Sequence, residues 1–196
     1  MIVKVAKSAG FCYGVRRAVD MAERAAAQET VYLLGHITHN DYVIRRLEKM
    51  GAVTITAPEE APEGSVVLIR AHGEPDSTYE ALKARHCRVL DATCPNVTRI
   101  HSIVRDAELR GRIPIIVGEP AHPEILGILG CTRRGTVVSS WDELEEIIKK
   151  VPDFSGLPLS FVSQTTAIGA NWEKIVENAK KVCTNAEFFD TICNAT

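Results

Sequence analysis

The chain has no apolar run approaching the roughly 20 residues that a bilayer-crossing helix needs, so no membrane span is expected. It has no long run of lysine or arginine, and its formal net charge is −2, so nucleic acid is not a favoured partner. Near its start there is no apolar signal segment followed by a cleavage site, and the expected location is the cytoplasm. It has no low-complexity segment. It also lacks the tight cysteine spacing by which ferredoxins draw cluster ligands from one loop. In a cytosolic chain of this size, six cysteines read as metal ligands, reactive thiols or buried residues rather than disulfides.

What is present is a core and a repeat. An apolar content of 45% over 196 residues suits one or two domains. Cys12 lies in Gly10-Phe11-Cys12-Tyr13-Gly14-Val15, and Cys94 in Asp91-Ala92-Thr93-Cys94-Pro95-Asn96. Cys193 lies in Asp190-Thr191-Ile192-Cys193-Asn194. After Cys12 and after Cys94 the order is the same. Helical spacing covers 15–27 and 97–109, short β-branched runs cover 31–34 and 113–117, and helices follow over 41–50 and 124–129. Further strands are expected at 53–55, 66–69 and 89–91, matched by 137–138, 159–162 and 188–190. Helices over 77–85 and 171–182 precede the last strand of each copy. Pro58–Gly64 and Pro152–Pro158 read as surface connections.

Alternating strands and helices predict α/β units with parallel sheets, whose ligand sites lie beyond the C-terminal strand ends. The repeat divides the chain into 1–13, 14–94, 95–192 and 193–196. The first piece, with a strand over 2–6, would close a third unit that begins at Cys193. Two of three pseudo-repeated units are therefore expected, the third largely absent, arranged as a trefoil around one shared site.

Each candidate has an ordinary reading beside the functional one. Free cysteines are often simply buried, but Cys12, Cys94 and Cys193 share one register, whereas Cys87, Cys131 and Cys183 do not and are read as structural. Soft thiolates suit iron–sulfur clusters, zinc or copper. Zinc is disfavoured because structural zinc sites pair their ligands locally. His39, His72 and His122 each follow a strand, where imidazoles beside helix N-termini suit an anion such as diphosphate. Glu124, in the first turn of a helix, either complements the helix dipole or donates a proton. Thr165, read as the equivalent of His72, is either a helix cap or a hydroxyl for substrate. Asn40 reads as a cap, and Ser8, Gly10 and Gly14 as shaping the Cys12 loop. His36, His86 and His101 lack the strand-end placement and are not singled out.

Seven segments together resemble the 4-hydroxy-3-methylbut-2-enyl diphosphate reductase family. They are residues 9–18, 36–40, 70–73, 91–95, 122–124, 163–166 and 191–196. The resemblance implies a trefoil of α/β units around a 4Fe–4S cluster held by Cys12, Cys94 and Cys193. It implies diphosphate binding by His39, His72 and His122, a proton donor in Glu124, and a partner for it in Thr165. It implies reductive loss of the substrate's 4-hydroxyl as water, with electrons from a donor such as ferredoxin or flavodoxin. It further implies a third domain carrying anion-binding serines. A chain without those is expected to hold cluster poorly and turn over little. The alternative reading is a non-catalytic truncated homologue that binds a cluster or a diphosphate.

Overall fold

The computed structural model describes residues 3–4 and 9–194. The first half runs α1 (Tyr13–Ala26), β1 (Val31–Leu34), α2 (Asp41–Lys49), β2 (Ala52–Ile55), β3 (Val66–Ile69), α3 (Asp76–Ala84) and β4 (Arg88–Asp91). The second runs α4 (Pro95–Leu109), β5 (Ile113–Val117), α5 (Pro123–Leu129), β6 (Thr136–Val138), α6 (Trp141–Lys150), β7 (Leu159–Ser163), α7 (Gly169–Val182) and β8 (Ala186–Phe189). The strands form two four-stranded sheets in the orders β2-β1-β3-β4 and β6-β5-β7-β8, with every pairing parallel.

Parallel strands covered on both faces cannot alternate apolar with polar residues. Val66–Ile69 is buried at every position, and so is Leu159–Ser163. One face of the first sheet packs Leu33 and Leu68 against Ala18 and Ala22 of α1 and Val43 and Leu47 of α2. The other face packs Val67 and Ile69 against Leu82 of α3. In the second sheet, Ile116 and Val162 meet Ile100 and Val104 of α4 and Ile125 and Ile128 of α5. Its opposite face packs Phe161 against Trp172 and Ile175 of α7 and Leu144 of α6. The alanines of α1 let that helix lie close to its sheet; a larger side chain there would overpack it.

In each sheet the chain leaves β1 or β5 toward one edge and returns to β3 or β7 on the other side. Such a reversal of strand order opens a crevice at the C-terminal strand ends. Both crevices carry predicted site residues.

Two expectations need amendment. The helix α6 was not anticipated: the segment after Val138 gave no assigned helix, yet Ser140 caps it through Glu143 N–H at 3.2 Å, and Ser139 Oγ reaches the Glu143 carboxylate at 2.7 Å. Only Leu144 is fully buried on it, so its apolar signal is thin. The two connections read as surface segments each hold a short 3₁₀ turn and bury Ala61 and Phe154. The strand expected over 2–6 falls largely outside the described residues, as does Ser8; Val3 and Lys4 lie in no strand. Among the described residues no helix is long and apolar enough to cross a membrane.

Candidate functional site

Cys12 and Cys94 are the N-cap residues of α1 and α4, and neither side chain is used in capping. Their backbones start the helices alike: Cys12 C=O accepts from Arg16 N–H at 3.0 Å, and Cys94 C=O from Thr98 N–H at 2.9 Å. Two free helix N-termini thus flank the sulfurs, which favours a negatively charged occupant. Cys193 follows β8, and its N–H donates to Thr165 C=O at 2.8 Å. The three cysteines, drawn from three distant parts of the chain, line one cavity of about 130 Å³. Its wall also includes His72, His122, Glu124 and Thr165. Gly14 is buried at its edge, where an added Cβ would lie 2.8 Å from Cys94 Sγ.

Among the described residues no three His, Cys, Asp or Glu donors converge on a single metal ion. The donor set fits a cluster better, because in a cubane each thiolate takes its own iron and the sulfurs need not meet. Three thiols around one cavity, helix N-termini behind two of them and a glycine clearing space beside Cys94 satisfy that requirement.

Glu124 is only 2% exposed. Its Oε1 accepts from Thr165 N–H and its Oε2 from Thr165 Oγ–H, each at 2.6 Å. Thr165 is therefore no helix cap: α7 is capped by Ile168. His122 caps α5, its Nδ1 accepting from Glu124 N–H at 3.2 Å. That bond leaves the Nε2 proton free to donate. The His122 ring meets the His72 ring edge-on at 5.5 Å. Burial first, then the charges of Arg70, His122 and His39, lower the His72 pKa from 6.5 to about 4. Its Nδ1 is buried without a hydrogen-bond partner among the described residues. His39 is exposed and is not among the residues of this cavity wall; it acts on His72 through charge. Asn40 is a cap, accepting from Tyr42 and Val43 N–H.

The strand register corrects one equivalence. Ile69 pairs with Leu34, and Ser163 with Val117, so counting on from the ladders matches Thr165 with Ala71 and Thr166 with His72. The loop bonds agree: Cys94 N–H donates to Ala71 C=O as Cys193 N–H does to Thr165 C=O. Sequence reading shifted the pair by one because the four-residue segments were matched by motif, while ladder hydrogen bonds between distant strands set the true register.

The same frame reveals residues that the sequence did not mark. Arg70 and Gln164 hold one position, each over a glycine: an added Cβ on Gly35 would lie 2.7 Å from the Arg70 guanidinium, and on Gly118 2.7 Å from Gln164 Oε1. Arg70 is paired with Glu74 at 3.0 Å, whereas Gln164 accepts from Glu119 N–H and donates to Thr166 Oγ. His101, set aside as helical, is 5% exposed with Nε2 unpartnered among the described residues, and burial lowers its pKa to about 4. Its signal was the apolar face of α4, between Val97 and Val104, where a polar residue is unexpected.

The chain matches the LytB protein family over residues 3–196. It is 37% identical over 198 residues to the 4-hydroxy-3-methylbut-2-enyl diphosphate reductase of Aquifex aeolicus, covering 98% of this chain and 66% of that protein. The reductase of the same name from Caldanaerobacter subterraneus is 37% identical, with 100% and 68% covered. A solved structure of (E)-4-hydroxy-3-methyl-but-2-enyl diphosphate reductase, described as the terminal enzyme of the non-mevalonate pathway, superposes with a TM-score of 0.85 at 36% identity. That match covers 98% of this chain and 68% of the solved one. The chain thus spans about two thirds of the length of the relatives it matches.

Proposed function

This chain belongs to the LytB protein family, and we propose that its site serves the reductive removal of the 4-hydroxyl of (E)-4-hydroxy-3-methylbut-2-enyl diphosphate. The products are isopentenyl and dimethylallyl diphosphate. The observation that carries this reading is the single cavity walled by Cys12, Cys94, Cys193 and the Glu124–Thr165 pair. The reaction consumes two electrons and two protons; the C–O bond breaks, a C–H bond forms, and water leaves. Cys12, Cys94 and Cys193 would hold a 4Fe–4S cluster, which when bound would supply electrons one at a time and Lewis acidity toward the hydroxyl oxygen. The electrons come from a small one-electron carrier such as ferredoxin or flavodoxin.

The chain's own residues handle the anion and the protons. Glu124 is clamped by both bonds to Thr165, whose hydroxyl offers its proton a short route into the cavity that both residues line. Loss of water from an allylic carbon needs such an acid, because hydroxide is a poor leaving group. His72 enters neutral. An arriving diphosphate offsets the cations around it and favours its protonation, so binding is coupled to proton uptake. His122 presents its Nε2 proton, and His39 lies close enough to His72 to act on it electrostatically. Burial of Glu124 and Thr165 keeps bulk water from the acid.

The test is anaerobic reconstitution with iron and sulfide, followed by desalting and analysis of both elements. Against the sequence expectation that a chain lacking the third domain holds cluster poorly, the shared cavity leads us to expect that the wild-type chain retains them in equal amounts, with an absorption or EPR spectrum that changes on adding the substrate diphosphate. Cys12→Ser, Cys94→Ser and Cys193→Ser should each retain far less. Equal retention in all four chains, or a spectrum indifferent to the diphosphate, defeats the proposal.

A further inference from the structure

The helices α1 and α4 begin alike, and the residue two places after the N-cap cysteine faces the next cysteine of the set. In α1 that residue is Gly14, whose added Cβ would touch Cys94 Sγ at 2.8 Å. In α4 it is Asn96, whose Nδ2 donates to Cys193 Sγ at 3.2 Å. The same helical position is thus a clearance in one copy and a hydrogen-bond donor in the other. Among the described residues no side-chain N–H donates to the sulfur of Cys12 or Cys94. The three ligands are alike in sequence register and unlike in what touches their sulfurs.

We propose that Asn96 is a positioning residue that orients the Cys193 sulfur and raises the reduction potential of the bound cluster through it. This rests on the cluster reading above. Cys193 is then held at its N–H by Thr165 C=O at 2.8 Å and at its sulfur by Asn96. An N–H donor withdraws charge from a ligating sulfur. The reduced cluster carries one more negative charge than the oxidised one, so the bond is stronger in the reduced state and the potential rises. The placement also matters. Asn96 and Cys193 line the site cavity and also border a second cavity of about 440 Å³, so the donor stands between the two.

The experiment compares the reconstituted wild type with Asn96→Leu, Asn96→Asp and Asn96→Gln in a redox titration followed by EPR. Asn96 is exposed, so folding is not at stake in these variants. Leu removes the donor at similar size and should move the midpoint negative. Asp sets a carboxylate beside the sulfur and should move it further. Gln, which keeps an amide, should restore most of the difference. A loaded Asn96→Leu chain with an unchanged midpoint overturns this assignment alone. A wild type that takes up no cluster overturns the functional reading as well, and the iron count separates the two failures. Cluster-free protein gives an independent readout: the Asn96 side-chain amide pair in a ¹H–¹⁵N spectrum should move in Cys193→Ala and stay in Cys12→Ala. An amide pair indifferent to Cys193→Ala also overturns the assignment.

Discussion

The two sheets share one strand order and one way of entering the site, yet they equip it differently. The first-turn acid of α2 is Asp41, which is exposed; its counterpart in α5 is Glu124, which is buried against Thr165. The cap of α2 is an asparagine and the cap of α5 is an imidazole. At the position after β3 stands a cation, Arg70, with its own carboxylate; after β7 stands the neutral Gln164. The first sheet therefore brings a guanidinium and the imidazoles of His39 and His72, and the second brings a carboxyl, hydroxyls and the His122 imidazole. A repeated scaffold fixes where side chains arrive; the residues placed there give proton delivery to the second sheet, while the imidazoles for an anion come from both.

The largest expected effect tests that division directly. Glu124→Gln keeps the shape but removes the acid, and should lower kcat by about 10²–10³-fold. Asp41→Asn, at the matching place in the first sheet, should leave kcat within about twofold. Both are read in a turnover assay with the substrate diphosphate and a chemical reductant. Comparable losses in both would erase the distinction between the sheets.

Gly14 and Asn96 offer the next test. Gly14→Ala forces a Cβ onto Cys94 Sγ and should abolish most cluster retention, whereas Asn96→Ala should retain the cluster. Iron and sulfide analysis after desalting reads both. A smaller effect is expected at the threonines. Thr165→Val breaks the hydroxyl path to Glu124 and should cost about tenfold in kcat. Thr166→Val, at the position that holds His72 in the first sheet, should chiefly raise KM.

The smallest effect concerns pH. His72 and His101 have native pKa values lowered to about 4, while unfolded imidazoles titrate near 6.5. Between those values the unfolded chain binds more protons than the native one, so stability falls as the pH drops from 6.5 toward 4 and is fully present above 6.5. His72→Thr, which gives the first sheet the residue of the second, should flatten part of that slope in urea denaturation. His101 supplies the remainder. A cluster-free wild type whose midpoint is level across this window would contradict the burial assigned to both rings.

Much of the fold was legible along the chain. Val66-Val67-Leu68-Ile69 and Leu159–Val162 declared themselves as strands buried on both faces, because only a parallel sheet between helices accepts such runs. Cys94 and Cys193 were legible through the turn they share. Asp91 and Asp190 accept from the N–H two residues on, at 2.9 and 3.2 Å, an ordering written locally in Asp-x-x-Cys. The helix α6 was harder to see, since it buries one leucine fully and the repeat offered no counterpart in the first half.

The sequence by itself determined the α/β alternation, the repeat and the residue types at the strand ends, because these follow from backbone preferences and apolar patterning over a few residues. Tertiary structure alone decided that Thr165 answers to Ala71, that His101 is buried, that Glu124 is closed off by Thr165, and that Asn96 reaches Cys193. Each of those depends on a contact between segments far apart in the chain. Such contacts are set by the hydrogen-bond register of the sheets and the packing of helices across them, and local sequence does not encode them.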